Sequence, residues 1–162
     1  GQDMAQNDPA SAASYVATLP EGKAQNSAAA SVIGQWTSTD PAAASQWAAG
    51  FKDEAREQAL DAVIQRWASN DPEASARWLS ELPNDAAKQA AIDTYLGELT
   101  HQYPNYAATV VEDMTDERQR HRYISRIFQA WKRTDSGAAE QWLGTTSLPK
   151  EQIRGMLGKG KD

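Results

Sequence analysis

The sequence predicts an all-α fold, an α-solenoid of about five helix-turn-helix repeats, and three observations predict it. Asp-Pro recurs at Asp8-Pro9, Asp40-Pro41 and Asp71-Pro72, and Tyr103-Pro104 and Asp135-Ser136 continue the series at steps of 32, 31, 32 and 32 residues. Apolar residues return in every unit at steps of 3, 4 and 7, which places them on one face of a helix with 3.6 residues per turn. No window shows the alternation of apolar and polar residues that a half-buried strand needs.

Each unit reads as two helices, A then B. Asp at the start of helix A accepts hydrogen bonds from N–H groups that the first turn leaves free, and Pro at the first helical position has no N–H to leave unsatisfied. Six residues after Pro9, Pro41, Pro72, Pro104 and Ser136 stand Tyr15, Trp47, Trp78, Val110 and Trp142. Ten residues after the Pro come Leu19, Phe51, Leu82 and Met114, with Leu148 in that place after two extra residues in the last unit. In the second unit Ala44, Trp47, Ala48 and Phe51 make one face, while Ala42, Ser45 and Ala49 make a small-residue edge that lets a neighbouring helix come close. Pro20, Pro83 and Pro149 end helix A in three units, because Pro disfavours helical geometry in the residue before it.

Helix B is longer. Counted back from its terminal residue it reads Trp36, Ile33, Val32, Ala29 and Ala28 in the first unit, and Trp67, Ile64, Val63, Leu60 and Ala59 in the second. The third gives Leu99, Leu96, Tyr95, Ile92 and Ala91, and the fourth gives Trp131, Phe128, Ile127, Ile124 and Tyr123. The same offsets are apolar each time. Asp53-Glu54, Asn84-Asp85 and Thr115-Asp116-Glu117 open the second, third and fourth B helices. A hairpin this short cannot bury its apolar face alone, so the hairpins are expected to stack. The units fall at about 7–38, 39–69, 70–101, 102–133 and 134–157, in one domain spanning 7–157. Residues 1–6 read as a leader or expression scar and 158–162 as a flexible tail. The fifth B segment, Lys150 to Leu157, is cut short by Gly155 and Gly158 and lacks a terminal Trp, as suits the end of an array. Pro9, Tyr15, Trp36, Pro41, Trp47, Trp67, Pro72, Trp78, Pro104, Trp131 and Trp142 are the expected structural anchors.

Asp-Pro followed six residues later by Trp, as in Asp40-Pro41 to Trp47 and Asp71-Pro72 to Trp78, resembles the junction between tetratricopeptide repeats. The likeness is TPR-like and divergent, with a period of about 32 in place of about 34 and a shorter helix A. It implies a right-handed αα-superhelix, a curved scaffold that binds proteins or peptides on a concave face lined by A helices.

Charge and composition narrow the function. The 162 residues carry 16 Lys and Arg against 22 Asp and Glu, a net charge of -6 that is the wrong sign for a nucleic-acid binder relying on phosphate contacts. With no Cys there is no disulfide, thiolate metal site or Cys nucleophile, and no compartment follows from that. No run approaches the roughly 20 apolar residues of a membrane span. No HExxH, GxSxG, Walker or GxGxxG pattern occurs, so no enzyme activity, metal or cofactor is expected. His101 and His121 lie in different units, and His101 falls near the end of a B helix, where a capping role suits it. The carboxylate pairs Glu112-Asp113 and Asp116-Glu117 read as solvated or helix-starting groups, the second at a helix start where acids favour the dipole.

Charge is also uneven along the chain. Residues 70–101 carry two basic and six acidic residues, whereas 102–133 carry six basic and four acidic. Arg118, Arg120, His121, Arg122 and Arg126 crowd the fourth B helix, and Arg118, Arg122 and Arg126 align by steps of four. Arg suits the two-pronged capture of carboxylates, so this stripe is a candidate site for an acidic protein or peptide, although salt bridges to the acidic third unit would use it equally well. A second candidate set is the position five after each Pro, Ser14, Gln46, Arg77, Thr109 and Gln141, of which Gln46, Arg77 and Gln141 offer the longest polar side chains. The function these features imply is a non-enzymatic protein or peptide interaction scaffold. Two alternatives stand beside it: a helical accessory or regulatory region of a larger enzyme or envelope protein, and small-ligand or carbohydrate binding through exposed Trp. The fixed repeat offsets of the six Trp favour packing over the last of these.

Overall fold

The computed structural model describes residues 8–158, so the leader expected at 1–6 and the tail expected at 158–162, apart from Gly158, lie outside the described residues. Among the described residues the secondary structure is ten α-helices and one 3-10 turn, with no strand. Short and long helices alternate through the first eight, and two short ones follow: α1 (Pro9–Ala17), α2 (Lys23–Thr39), α3 (Pro41–Ala49), α4 (Asp53–Trp67), α5 (Pro72–Glu81), α6 (Ala86–Leu99), α7 (Pro104–Val110), α8 (Glu117–Trp131), α9 (Ser136–Leu143) and α10 (Lys150–Met156). The 3-10 turn, Val111–Asp113, extends α7. Odd-numbered helices are the expected A helices and even-numbered ones the B helices. Among the described residues no helix is long and apolar enough to cross a membrane. The chain divides into two compact units, one ending at Thr94 and one starting at Tyr95.

In the first unit every A helix starts on the expected signal. Asp8, Asp40 and Asp71 accept a hydrogen bond from the backbone N–H of Ser11, Ala43 and Ala74, each at 3.1 Å, and a Pro follows each Asp. The Ser11 hydroxyl and then the Ser11 N–H hold the Asp8 carboxyl below its ordinary range. Asp71→Ala is expected to cost about 1 kcal/mol in chemical denaturation, the usual worth of such a cap, and a loss below a few tenths would deny it that role. At the B helices, Asp85 accepts from the Lys88 N–H at 2.8 Å, but Asp53 caps nothing. Asp53 sits at φ 54, in the left-handed region that Asp tolerates better than most residues, and α4 begins without a side-chain cap.

α1 packs on α2, α2 on α3 and α4, α3 on α4, and α4 on α5. The seam is built from small residues: Ala12, Ala13, Val16, Ala29 and Val32 are buried, with Ala28, Trp36, Trp47 and Phe51 packed against them. Ala59, Leu60, Val63 and Ile64 of α4 are buried as their stripe predicts. Tyr15 departs from the pattern: it is 54% exposed, where Trp47 at the equivalent position is half-buried. The reason is positional, since among the described residues no B helix precedes α1 to supply the partner that covers the equivalent Trp47.

In the second unit α7 and α9 both pack on α8. Ile124, Ile127 and Phe128 of α8 are buried, as are Ala107 and Val110 of α7 and Ala139 and Leu143 of α9. Asp116 and Asp135 cap α8 and α9 by accepting from the N–H groups of Gln119 and Ala138. Where the repeat has Tyr103 instead of Asp, α7 starts on Pro104 with no side-chain cap. The short α10 buries none of its residues, in keeping with its broken sequence pattern.

The Trp residues form a recurring joint. Trp36 pairs with Trp47, Trp67 with Trp78, and Trp131 with Trp142, with ring centroids 6.1, 6.0 and 5.9 Å apart and planes tilted by 53°, 51° and 50°. Each pair joins the end of a B helix to the A helix that follows it, eleven residues on. All six rings are half-buried, so they work by pairing across the joint rather than by disappearing into the core. The equivalent pair in the remaining joint is Leu99 and Val110, both buried.

Candidate functional site

The exposed position on the A helices is where the sequence places it. Ser14, Gln46, Arg77, Thr109 and Gln141 are all exposed. Gln46 and Arg77 lie at the same register of α3 and α5 in the first unit, and Gln141 lies on α9 in the second. Arg77 is drawn to Glu73 of its own helix, 3.2 Å away, with both side chains exposed. None of these residues lines either of the two grooves described below.

On α8 the basic residues separate by role. Arg120 is half-buried, and its guanidinium donates to the Met114 carbonyl at 3.0 Å and to the Ser147 hydroxyl at 2.9 Å. Ser147 in turn donates to Glu112 at 2.9 Å, which gives that carboxylate a structural partner. Arg118, Arg122 and Arg126 are exposed and, among the described residues, make no ion pair. Arg126 lies over the Tyr123 ring at 5.8 Å. Of the two imidazoles, His101 is exposed, and His121 is half-buried with its Nε2 enclosed and unpartnered. Among the described residues no group of His, Cys, Asp or Glu is arranged to hold a metal ion.

A polar groove that the sequence reading missed runs between the B helices of the first unit. It encloses about 630 Å³ between α2 and α4. Ser27, Ser31, Gly34 and Gln35 line it from α2, and Gln58, Asp61, Gln65 and Arg66 line it from α4. A second groove of about 400 Å³ shares Gln58 and Asp61 and adds Glu54, Glu57, Asp93 and Thr94. Asp61 ties the walls together by accepting from the Thr94 hydroxyl and, at 2.7 Å, from Gln65. Arg66 crosses to the Ser38 hydroxyl at 3.2 Å, and the Gln35 amide oxygen is buried without a partner. Counted back from the terminal Trp, the α2–α4 lining falls at offsets of nine, six, five, two and one, so a B-helix face was legible in the repeat once the outward positions were compared. Arg122 and Arg126 occupy the offsets of nine and five on α8, which places the Arg stripe on the corresponding helix face of its own hairpin.

One further recurring device was also missed. Eleven residues before each terminal residue of helix B stands a long hydrogen-bond donor: Gln25, Arg56, Lys88 and Arg120. Each reaches back to carbonyls at the end of its own helix A. Gln25 donates to Val16 and Leu19 at 3.1 and 3.0 Å, Arg56 to Ala49 at 2.6 Å, Lys88 to Leu82 at 3.0 Å, and Arg120 to Met114 at 3.0 Å. A helix leaves its last carbonyls without intrahelical donors, and this position supplies them. Their different chemistries at one offset hid the pattern, because Gln, Arg and Lys share only length and donor capacity.

Compared with known proteins, the chain matches no protein-family model, no curated protein and no solved structure.

Proposed function

We propose that this chain is a TPR-like αα-hairpin repeat, a right-handed superhelix of about five hairpins, that serves as a non-enzymatic scaffold for protein or peptide partners. The observation that carries the reading is the Arg stripe of α8. Three exposed Arg spaced by four repel one another, each such like-charge pair costing a helix about 0.2–0.5 kcal/mol. Arg118 lies in the first turn, where a cation also opposes the helix dipole. A stripe that weakens its own helix and makes no ion pair among the described residues is explained by what it meets outside, and Arg favours carboxylates held by two parallel hydrogen bonds. The repeated Trp joints support the scaffold part of the reading, because the same tilted pairing at the same spacing holds successive hairpins in a fixed relation within each unit.

The test uses the intact 162-residue chain as bait in lysate of its own source, beside the variant R118E/R122E/R126E. A specific protein held by the wild type at low salt, shed at high salt and absent from the variant is the expected result. The thermal transition of the variant is expected to stay nearly unchanged, since all three side chains are exposed. Equal capture by wild type and variant, or none by either, overturns the assignment of the stripe.

A further inference from the structure

We propose that the α8 Arg stripe docks on the acidic α4–α6 groove of a second copy of this chain, so that the protein self-associates through complementary charge. The inference rests on the reading of Arg118, Arg122 and Arg126 as a partner-binding stripe and names its partner.

Both halves of such a contact are present in one chain. On α4, Glu54, Glu57 and Asp61 follow one another at steps of three and four, which places them along one helix face, and Asp93 of α6 adds a fourth carboxylate to the same groove. No Lys or Arg lines this groove. On α8 the Arg stripe likewise follows one helix face, exposed and without an ion pair among the described residues. At 1.5 Å of rise per residue the acidic stripe from Glu54 to Asp61 extends about 10 Å and the basic stripe from Arg118 to Arg126 about 12 Å. Glu and Arg side chains are long enough to absorb that difference, and facing helices commonly choose partners through rows of opposite charge of this kind.

The competing occupant, an acidic peptide on the Arg stripe alone, leaves the acidic groove unused. A second copy sets each stripe against one of opposite charge. The chain as a whole carries -6, so two copies repel at long range, and association depends on these two patches meeting locally.

The experiment is sedimentation velocity on the full chain at up to about 100 µM, read as mass above the monomer. In about 50 mM salt the wild type is expected to self-associate, and raising salt to about 500 mM is expected to raise the dissociation constant at least about tenfold, because screening then acts within a few ångströms. R118E/R122E/R126E and Glu54→Arg with Glu57→Arg are each expected to be monomeric. These positions are exposed, and Asp61, which holds Thr94 and Gln65, is left intact. Mixing the two variants is expected to restore association, because the Arg stripe of one then meets the acidic groove of the other. A monomeric wild type, or a mixture that stays monomeric, overturns the proposal. Anisotropy of a labelled hexaglutamate peptide separates the two readings. A monomeric wild type that binds the peptide, with no binding by R118E/R122E/R126E, removes self-association and keeps the acidic-partner scaffold, whereas a monomeric wild type that ignores the peptide removes both.

Discussion

Trp47→Ala is expected to lower the stability of the first unit by about 3 kcal/mol, the low end of the usual range for deleting a large aromatic side chain from a packed site. The low end applies because the ring is half-buried, so part of its surface is already wet in the folded state. Two specific contacts go with the ring: the tilted pairing with Trp36 at 6.1 Å and the edge-on contact with Phe51 at 4.8 Å. Removing it also opens space beside the small residues of the seam, and Ala44 and Ala48 have no atoms with which to fill it. A double-mutant cycle between Trp36 and Trp47 is expected to give a coupling of about 0.5–1.5 kcal/mol, the share that belongs to the pair itself. Tyr15→Ala provides the contrast, since an exposed ring at the same repeat position is expected to change stability by no more than about 0.5 kcal/mol. Urea denaturation of the wild type, Trp36→Ala, Trp47→Ala, their double variant and Tyr15→Ala measures these differences. A loss at Trp47 below about 1 kcal/mol, or equal losses at Trp47 and Tyr15, would mean that the joint does not depend on paired rings.

The contrast between Trp47 and Tyr15 shows where sequence reading succeeds and where it stops. Helix starts were legible because capping is local: an Asp and the N–H three residues on are fixed in relation by the first turn, so four of the five A helices are capped by the residue expected. The B-helix stripe was legible for the same reason, since 3.6 residues per turn decides which residues share a face. What surrounds a face is not local. Tyr15 occupies an anchor position by count, yet its exposure is decided by whether another helix lies over it. Asp53 looks like a helix-starting acid, but its left-handed backbone depends on how the chain turns out of α3. The groove required side chains from two B helices about thirty residues apart, and the donors at Gln25, Arg56, Lys88 and Arg120 required knowing where helix A points its last carbonyls. The Arg stripe fell between these cases: its alignment was readable, and its lack of an ion pair among the described residues was not.

The donor position supplies the second large effect. Arg56→Met is expected to destabilise the first unit by about 2 kcal/mol, because it leaves a part-buried carbonyl without its donor while keeping most of the apolar stem. The Arg56 side chain is only 11% exposed, donates from Nη1 to the Ala49 carbonyl at 2.6 Å, and donates from Nε to Asp85 at 2.8 Å. Arg56→Lys is expected to recover only part of the loss, since an ammonium at the end of a flexible chain does not reproduce a planar fork aimed at two acceptors. Acid then tests the Asp85 half of the contact. Burial pushes the Asp85 carboxyl up, but the Lys88 N–H and the Arg56 guanidinium outweigh burial and hold it below its ordinary range. A carboxyl held low in the folded state contributes stability above its unfolded pKa, and that contribution is lost as the pH falls through the folded value. The wild type is therefore expected to lose stability on acidification from about pH 4 downward, and Arg56→Met to lose less, so the gap between them narrows. It should not close entirely, because the bond to the Ala49 carbonyl does not titrate. Denaturation curves of both proteins at neutral pH and near pH 2.5 read that gap, and a gap of constant size would assign the whole effect to the carbonyl and none to Asp85.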